Sequence, residues 1–301
     1  MRVTRRTLLA AAPLLGCADA SAQATTVHIA PDGTGDGSSW TAAAPLRAIE
    51  DLVLAMQPGG EILIAADRGE YDLGEGLDIA AGGQPGRAVR IRGVNSRTGE
   101  PAQALLRGVR GGSEVGAEGF RLWRGARHLH FSHLDFRAVG NGCFRICAPL
   151  SDLTIEDCGF EDIYRFLENG ASGGQDHASL RNFAVRRCRG RRVERAFSRI
   201  RYASRGGLFE DCAAEGMANE GGDIPVGCAV EGRAGNITYR RCVMENFQQL
   251  RAGDYWNGDG FSCEPDNHGI VYEDCVGRGS TDGGFDCKSR GVVLRGCVAE
   301  D

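Results

Sequence analysis

From about residue 128 the chain repeats one hydrophobic–polar phrase: a short apolar run, a polar pair or glycine, then cysteine. It reads Leu153-Thr-Ile-Glu-Asp-Cys158, Phe183-Ala-Val-Arg-Arg-Cys188, Leu208-Phe-Glu-Asp-Cys212, Ile237-Thr-Tyr-Arg-Arg-Cys242, Ile270-Val-Tyr-Glu-Asp-Cys275 and Val292-Val-Leu-Arg-Gly-Cys297. Successive cysteines stand 30, 24, 30, 33 and 22 residues apart. The apolar residues are largely β-branched or aromatic and show no helical period. One short strand per repeat, with variable glycine-rich loops between, is the mark of a solenoid. The pattern predicts an all-β chain, a right-handed parallel β-helix with like positions stacked along its axis.

The N-terminal part follows a different pattern. Val27-His28-Ile29 reads as a strand and 31–37 as a turn-rich loop. Pro45 opens a helix to about Met56, with Leu46, Ile49, Leu52, Val53 and Met56 on one face. Pro58-Gly59-Gly60 ends it, and Glu61–Ala65 begins the stack. The helix is expected to cap the apolar end of the solenoid. Residues 25–60 thus form a strand and capping helix, and 61–301 the β-helix. The final coil, ending at Asp301, carries no cap of its own, and the expectation is that the sequence is truncated there.

Residues 1–24 read as an export signal. Arg2, Arg5 and Arg6 precede the apolar run Leu8–Gly16, and Thr4-Arg5-Arg6-Thr7-Leu8-Leu9 resembles the twin-arginine type. Ala22-Gln23-Ala24 fits a cleavage site, implying a periplasmic or secreted protein. The alternative takes Leu14-Leu15-Gly16-Cys17 as a lipobox, with the chain anchored through Cys17. No other segment reads as membrane-spanning, and the mature chain is expected to be a monomer.

Composition adds three points. With 42% hydrophobic and 25% charged residues, disorder and coiled coil are excluded. The mature chain has 32 basic and 39 acidic residues, net −7, which argues against nucleic acid as partner. Its eleven cysteines follow the coil spacing and are read as small buried hydrophobes, with disulfides in an oxidising compartment as the alternative.

Residues 254–290 carry the candidate chemistry. Asp259 and Asp282 are 23 residues apart, close to one coil, and Asp286 follows the same turn. Residues one coil apart lie about 4.8 Å from each other along the axis. Three carboxylates can therefore converge, with Glu264 beside them. Clustered carboxylates repel, and a hard cation such as Ca²⁺ relieves the repulsion. Strand alternation turns Phe261, Cys263, Phe285 and Cys287 inward and Ser262, Glu264, Asp286 and Lys288 outward. Lys288 is the single lysine beside 34 arginines. It reads either as a counter-ion to Asp286 or Asp282, or as a proton acceptor, because an amine beside a cation can lose its proton where a guanidinium resists.

The segment from Val27 to Tyr71, with Pro31-Asp-Gly-Thr-Gly-Asp-Gly37 and the capping helix, resembles the N-termini of pectate-lyase-like right-handed β-helix proteins. Asp259-Gly-Phe261 and Asp282-Gly-Gly-Phe-Asp286 resemble the calcium motif of polysaccharide lyase family 9. That resemblance implies Asp259, Asp282 and Asp286 as Ca²⁺ ligands, with Gly283 replacing one further acid. It also implies β-elimination of a uronate polymer such as pectate, with Lys288 as the available base. In the family the lysine base stands more than a coil beyond the calcium aspartates. A glycoside hydrolase with paired carboxylates, or a non-catalytic carbohydrate-binding solenoid on the cell surface, are the alternatives.

Three further features stand out. Ten arginines fall within 181–205, among them Arg199 and Arg201 at equal strand parity. They read either as a grip on a polyanion or as a face balanced by neighbouring acids. Trp256 precedes the Asp259 turn and could stack on a sugar. His128, His130 and His133 read as surface histidines.

Overall fold

A computed structural model describes residues 25–111, 115–116, 118–170, 178–218, 224–250 and 257–300. Residues 1–24, read from the sequence as an export signal, lie outside the described residues. Among the described residues no helix is long and apolar enough to cross a membrane.

The strands stack into three parallel ladders that wrap one core. The first runs from Thr26–Ile29 through Leu129–Ser132 and Gly235–Arg240 to Val293–Arg295. The second runs from Tyr71–Asp72 to Val298–Glu300, and the third from Leu77–Ile79 to Gly283–Cys287. The two long strands Gly159–Asn169 and Arg189–Ile200 pass through both the second and the third ladder. Each coil supplies one alternating segment per ladder, so apolar residues meet their counterparts one coil away. Leu153, Phe183, Gly207 and Ile237 form one such row. The helix is as expected: Leu46–Ala48 is a 3-10 turn and Ile49–Ala55 is α-helical, with Leu46, Ile49, Val53 and Met56 in the core.

Rings run along the interior from Phe120 to Phe285. Tyr239 stacks on Tyr272 at 5.3 Å and Phe261 on Phe285 at 4.9 Å. All eleven described cysteines are free thiols, and most are buried. From Cys188 onward the cysteines of the repeated phrase donate to a strand carbonyl one coil earlier, as Cys212 does to Val185 O at 3.5 Å.

The residue before each of these cysteines turns the chain from the first ladder into the second. It adopts a left-handed conformation in every coil: Asp157, Arg187, Asp211, Arg241, Asp274 and Gly296. Acid and arginine pairs alternate at this corner from coil to coil. Arg187 Nε donates to Asp157 at 2.7 Å and Nη2 to Glu156 at 2.9 Å. Arg241 repeats this with Asp211 at 2.7 Å and Glu210 at 3.0 Å. The donated hydrogen bonds hold the Asp157 and Asp211 carboxyls below their ordinary range.

The arginine-rich stretch finds acids on the adjoining coils. Arg186, Arg187, Arg191, Arg192, Arg199 and Arg201 each face an acid of a neighbouring coil. Balance by neighbours describes most of it. His130 meets Glu156 at 2.7 Å and His128 meets Asp152 at 3.5 Å, so these histidines are also surface partners of acids.

Candidate functional site

The last two strands of the third ladder carry the carboxylates. Asp259–Cys263 pairs with Gly283–Cys287 in the register Asp259↔Gly283, Phe261↔Phe285, Ser262↔Asp286 and Cys263↔Cys287. The stacked Phe261 and Phe285 rings anchor both strands to the core. Asp282 immediately precedes its strand, held by a hydrogen bond from its N–H to Gly258 O at 2.9 Å.

Simple alternation would turn Asp259 inward with Phe261. The third ladder breaks alternation at this point in several coils. Phe166 and Leu167 both enter the core, as do Phe197 and Ser198. Gly227 and Gly260 do likewise, because a Cβ there would meet Met244 at 2.6 Å and Gly277 Cα at 3.0 Å, respectively. Two consecutive inward residues send the preceding one, Asp259, back to the outer side.

The second and third ladders touch backbone to backbone beneath Asp259. A Cβ on Gly277 would lie 2.4 Å from Gly284 O. Gly277→Ala is therefore expected to lower stability by about 1–3 kcal/mol. Urea denaturation checks this, and an unchanged midpoint would show that the ladders can part freely.

Asp259 is only 4% exposed, and its Oδ1 has no hydrogen-bond partner among the described residues. Burial, then the charges of Asp286 and Asp282, push its carboxyl up to about 7. Lys288 answers part of this charge. Its Nζ lies 2.5 Å from Asp286 Oδ2 and 3.8 Å from Glu264 Oε1. The donor types suit a hard cation, since all are carboxylate oxygens and one is buried without a partner. Among the described residues, however, no three such side chains are gathered into a ready ligand set.

Arg199 and Arg201 lie on the same outer face, toward the N-terminal end. Register aligns Arg145, Glu168, Arg199 and Ala229 in successive coils, and Ala229, Ser262 and Asp286 in the next. Arg199 donates to Glu231 at 2.7 Å and to Glu168 at 3.3 Å, and Arg201 approaches Glu231 at 3.5 Å. Both arginines are thus already engaged with acids. Trp256 lies outside the described residues.

Sequence reasoning missed the buried part of this face. Glu168, 3% exposed, contacts Arg145 and lies 3.0 Å from Arg165 Nε. Arg145 also reaches Glu118 at 3.1 Å. Aligning the coils would have revealed Arg145, Glu168 and Arg199 at one strand position. A separate groove lies between the first and second ladders, lined by His133, Asp135, Arg187 and Arg189 among others, away from the carboxylates.

No protein-family model matches this sequence, and no curated protein sequence matches it significantly. Solved structures do match. The crystal structure of pectate lyase Pel9A superposes with a TM-score of 0.67 at 17% identity, over 90% of this chain and 68% of that one. The fold is the pectate-lyase-like right-handed parallel β-helix. A GH136 lacto-N-biosidase from Eubacterium ramulus superposes on this β-helix with a TM-score of 0.58 at 12% identity, covering 91% of it and 58% of the biosidase. A rhamnogalacturonan lyase gives 0.54 at 12% identity, over 85% and 69%. At these identities the likeness establishes the β-helix fold.

Proposed function

We propose that this β-helix cleaves an acidic polysaccharide, pectate or another uronate polymer, by calcium-dependent β-elimination at Asp259, Asp282 and Asp286. The observation that carries the reading is the buried Asp259 carboxylate, without a hydrogen-bond partner and crowded by two like charges. Such a group is costly unless a cation or a proton sits on it. Asp259, Asp282 and Asp286, with Glu264 beside them, would hold a Ca²⁺, which would supply positive charge that acidifies the C5–H of a bound uronate. The Lys288 amine accepts the C5 proton, the C–H electron pair forms the C4=C5 double bond, and the C4–O pair leaves on the glycosidic oxygen, which takes a proton from water. Arg199 and Arg201, on the same face, would reach an anionic chain only by leaving Glu231 and Glu168. Export to the periplasm or medium is part of the reading and rests on residues 1–24.

A second reading is favoured by the same carboxyl. A protonated Asp259 beside Asp282 or Asp286 would supply the paired carboxylates of a glycoside hydrolase. Product analysis separates them. On polygalacturonate, elimination yields ultraviolet-absorbing unsaturated ends, and hydrolysis yields reducing ends without them. Neither product would leave a carbohydrate-binding solenoid. Activity that survives both EGTA and Asp282→Ala would sink the lyase reading.

Lys288→Arg keeps the charge but resists deprotonation. It is expected to cut turnover roughly 10²-fold or more, with the fold intact by circular dichroism. Full activity in the variant would remove Lys288 as the base.

A further inference from the structure

We propose that the Lys288 ammonium is a tethered resident cation of the carboxylate cluster, and that Lys288 and a divalent ion compete for Asp286 and Glu264. The inference rests on the cation site of the preceding reading, but it concerns occupancy and not catalysis.

The geometry is specific. Register places Cys287 beside Cys263, so Lys288 and Glu264 emerge side by side in successive coils. Asp286 lies two residues earlier on the same strand. The ammonium therefore sits between a same-strand and a cross-strand acid, at 2.5 Å and 3.8 Å. Its backbone is fixed, with Lys288 N donating to Cys263 O at 2.9 Å. Its side chain is 44% exposed, on a stem that can swing away. No other ion pair among the described residues reaches Asp259, Asp282, Asp286 or Glu264.

Among the described residues, the Lys288 ammonium thus meets two of the four neighbouring carboxylates. A small, hard ion offers twice the charge and takes several oxygens at once. It cannot share Asp286 with a close ammonium, because two cations a few ångströms apart repel strongly. Entry of the ion must expel the Lys288 head from its acids. Asp286 is turned toward Lys288, and the buried Asp259 Oδ1 is the oxygen left without a partner.

The single lysine makes the test direct. Full-length protein grown with lysine labelled at Cε gives one side-chain resonance, which is followed by NMR during titration with CaCl₂. The resonance is expected to move and saturate. By calorimetry, Lys288→Met is expected to bind Ca²⁺ roughly tenfold more tightly or better, since a repelling unit charge has gone. Equal affinities with an unmoved resonance would overturn the proposal while leaving calcium binding in place. If neither protein binds Ca²⁺, the calcium reading and the competition are overturned together.

Discussion

Asp259→Asn is expected to abolish turnover of a uronate polymer, by about 10²–10³-fold or more, while making the folded protein more stable at alkaline pH. Both effects come from one buried carboxylate. In the folded chain its carboxyl is pushed up to about 7, mainly by burial and then by Asp286 and Asp282. In the unfolded chain it titrates near the ordinary value of about 4. Between those values the folded state holds a proton that the unfolded state has released. Wild-type stability therefore falls as pH rises from about 4 to about 7, and the whole penalty is present above that. The Asn variant has no such proton to lose. Its stability advantage should be larger at pH 8 than at pH 5, as read by urea denaturation. Saturating Ca²⁺ should shrink the advantage at pH 8 by stabilising the wild type alone. An advantage identical at both pH values would mean that the carboxylate is better solvated than its surroundings indicate.

The second large effect concerns stability alone. Glu168→Ala is expected to cost about 3–5 kcal/mol, the range for removing one partner from a buried ion cluster. Arg145 and Arg165 are each more than nine-tenths buried and share this carboxylate, with Arg199 and Arg201 at its rim. The loss leaves these guanidinium groups with too little negative charge in a site shielded from water. Adding Arg165→Met in the same chain should restore part of the stability, because one uncompensated charge then goes as well. A loss below about 1 kcal/mol, the range of exposed pairs, would show that water reaches the cluster.

The fold was legible because the cysteine phrase repeats a buried–exposed alternation whose two faces see different solvents. Leu153, Phe183 and Ile237 could each be placed inward from their own strand, and all are core residues. Asp286 and Lys288 could be placed outward by the same reasoning, and they meet there. Alternation failed for Asp259, because Gly260 and Phe261 both turn inward. That kink depends on how closely the second ladder approaches, which no local pattern encodes. The pairing of Glu168 with four arginines was hidden for a related reason. Apart from Arg165 on the same strand, the partners come from different coils separated by loops of unequal length, so only the register brings them together. For the arginine-rich stretch, counting charge along the chain suggested an excess, whereas the acids that balance it lie about 30 residues away, on the coils before and after.

The alternating corner also bears on how such a chain can change length. Glu156-Asp157, Arg186-Arg187, Glu210-Asp211, Arg240-Arg241, Glu273-Asp274 and Arg295 follow one another along the axis in strict turn. Excising any one of the inner coils would set acid against acid or arginine against arginine at a corner where opposed like charges destabilise. Excising two neighbours would leave every remaining pair matched. The unit in which this solenoid can be duplicated or trimmed without electrostatic conflict is therefore a pair of coils, and its growth is counted in twos.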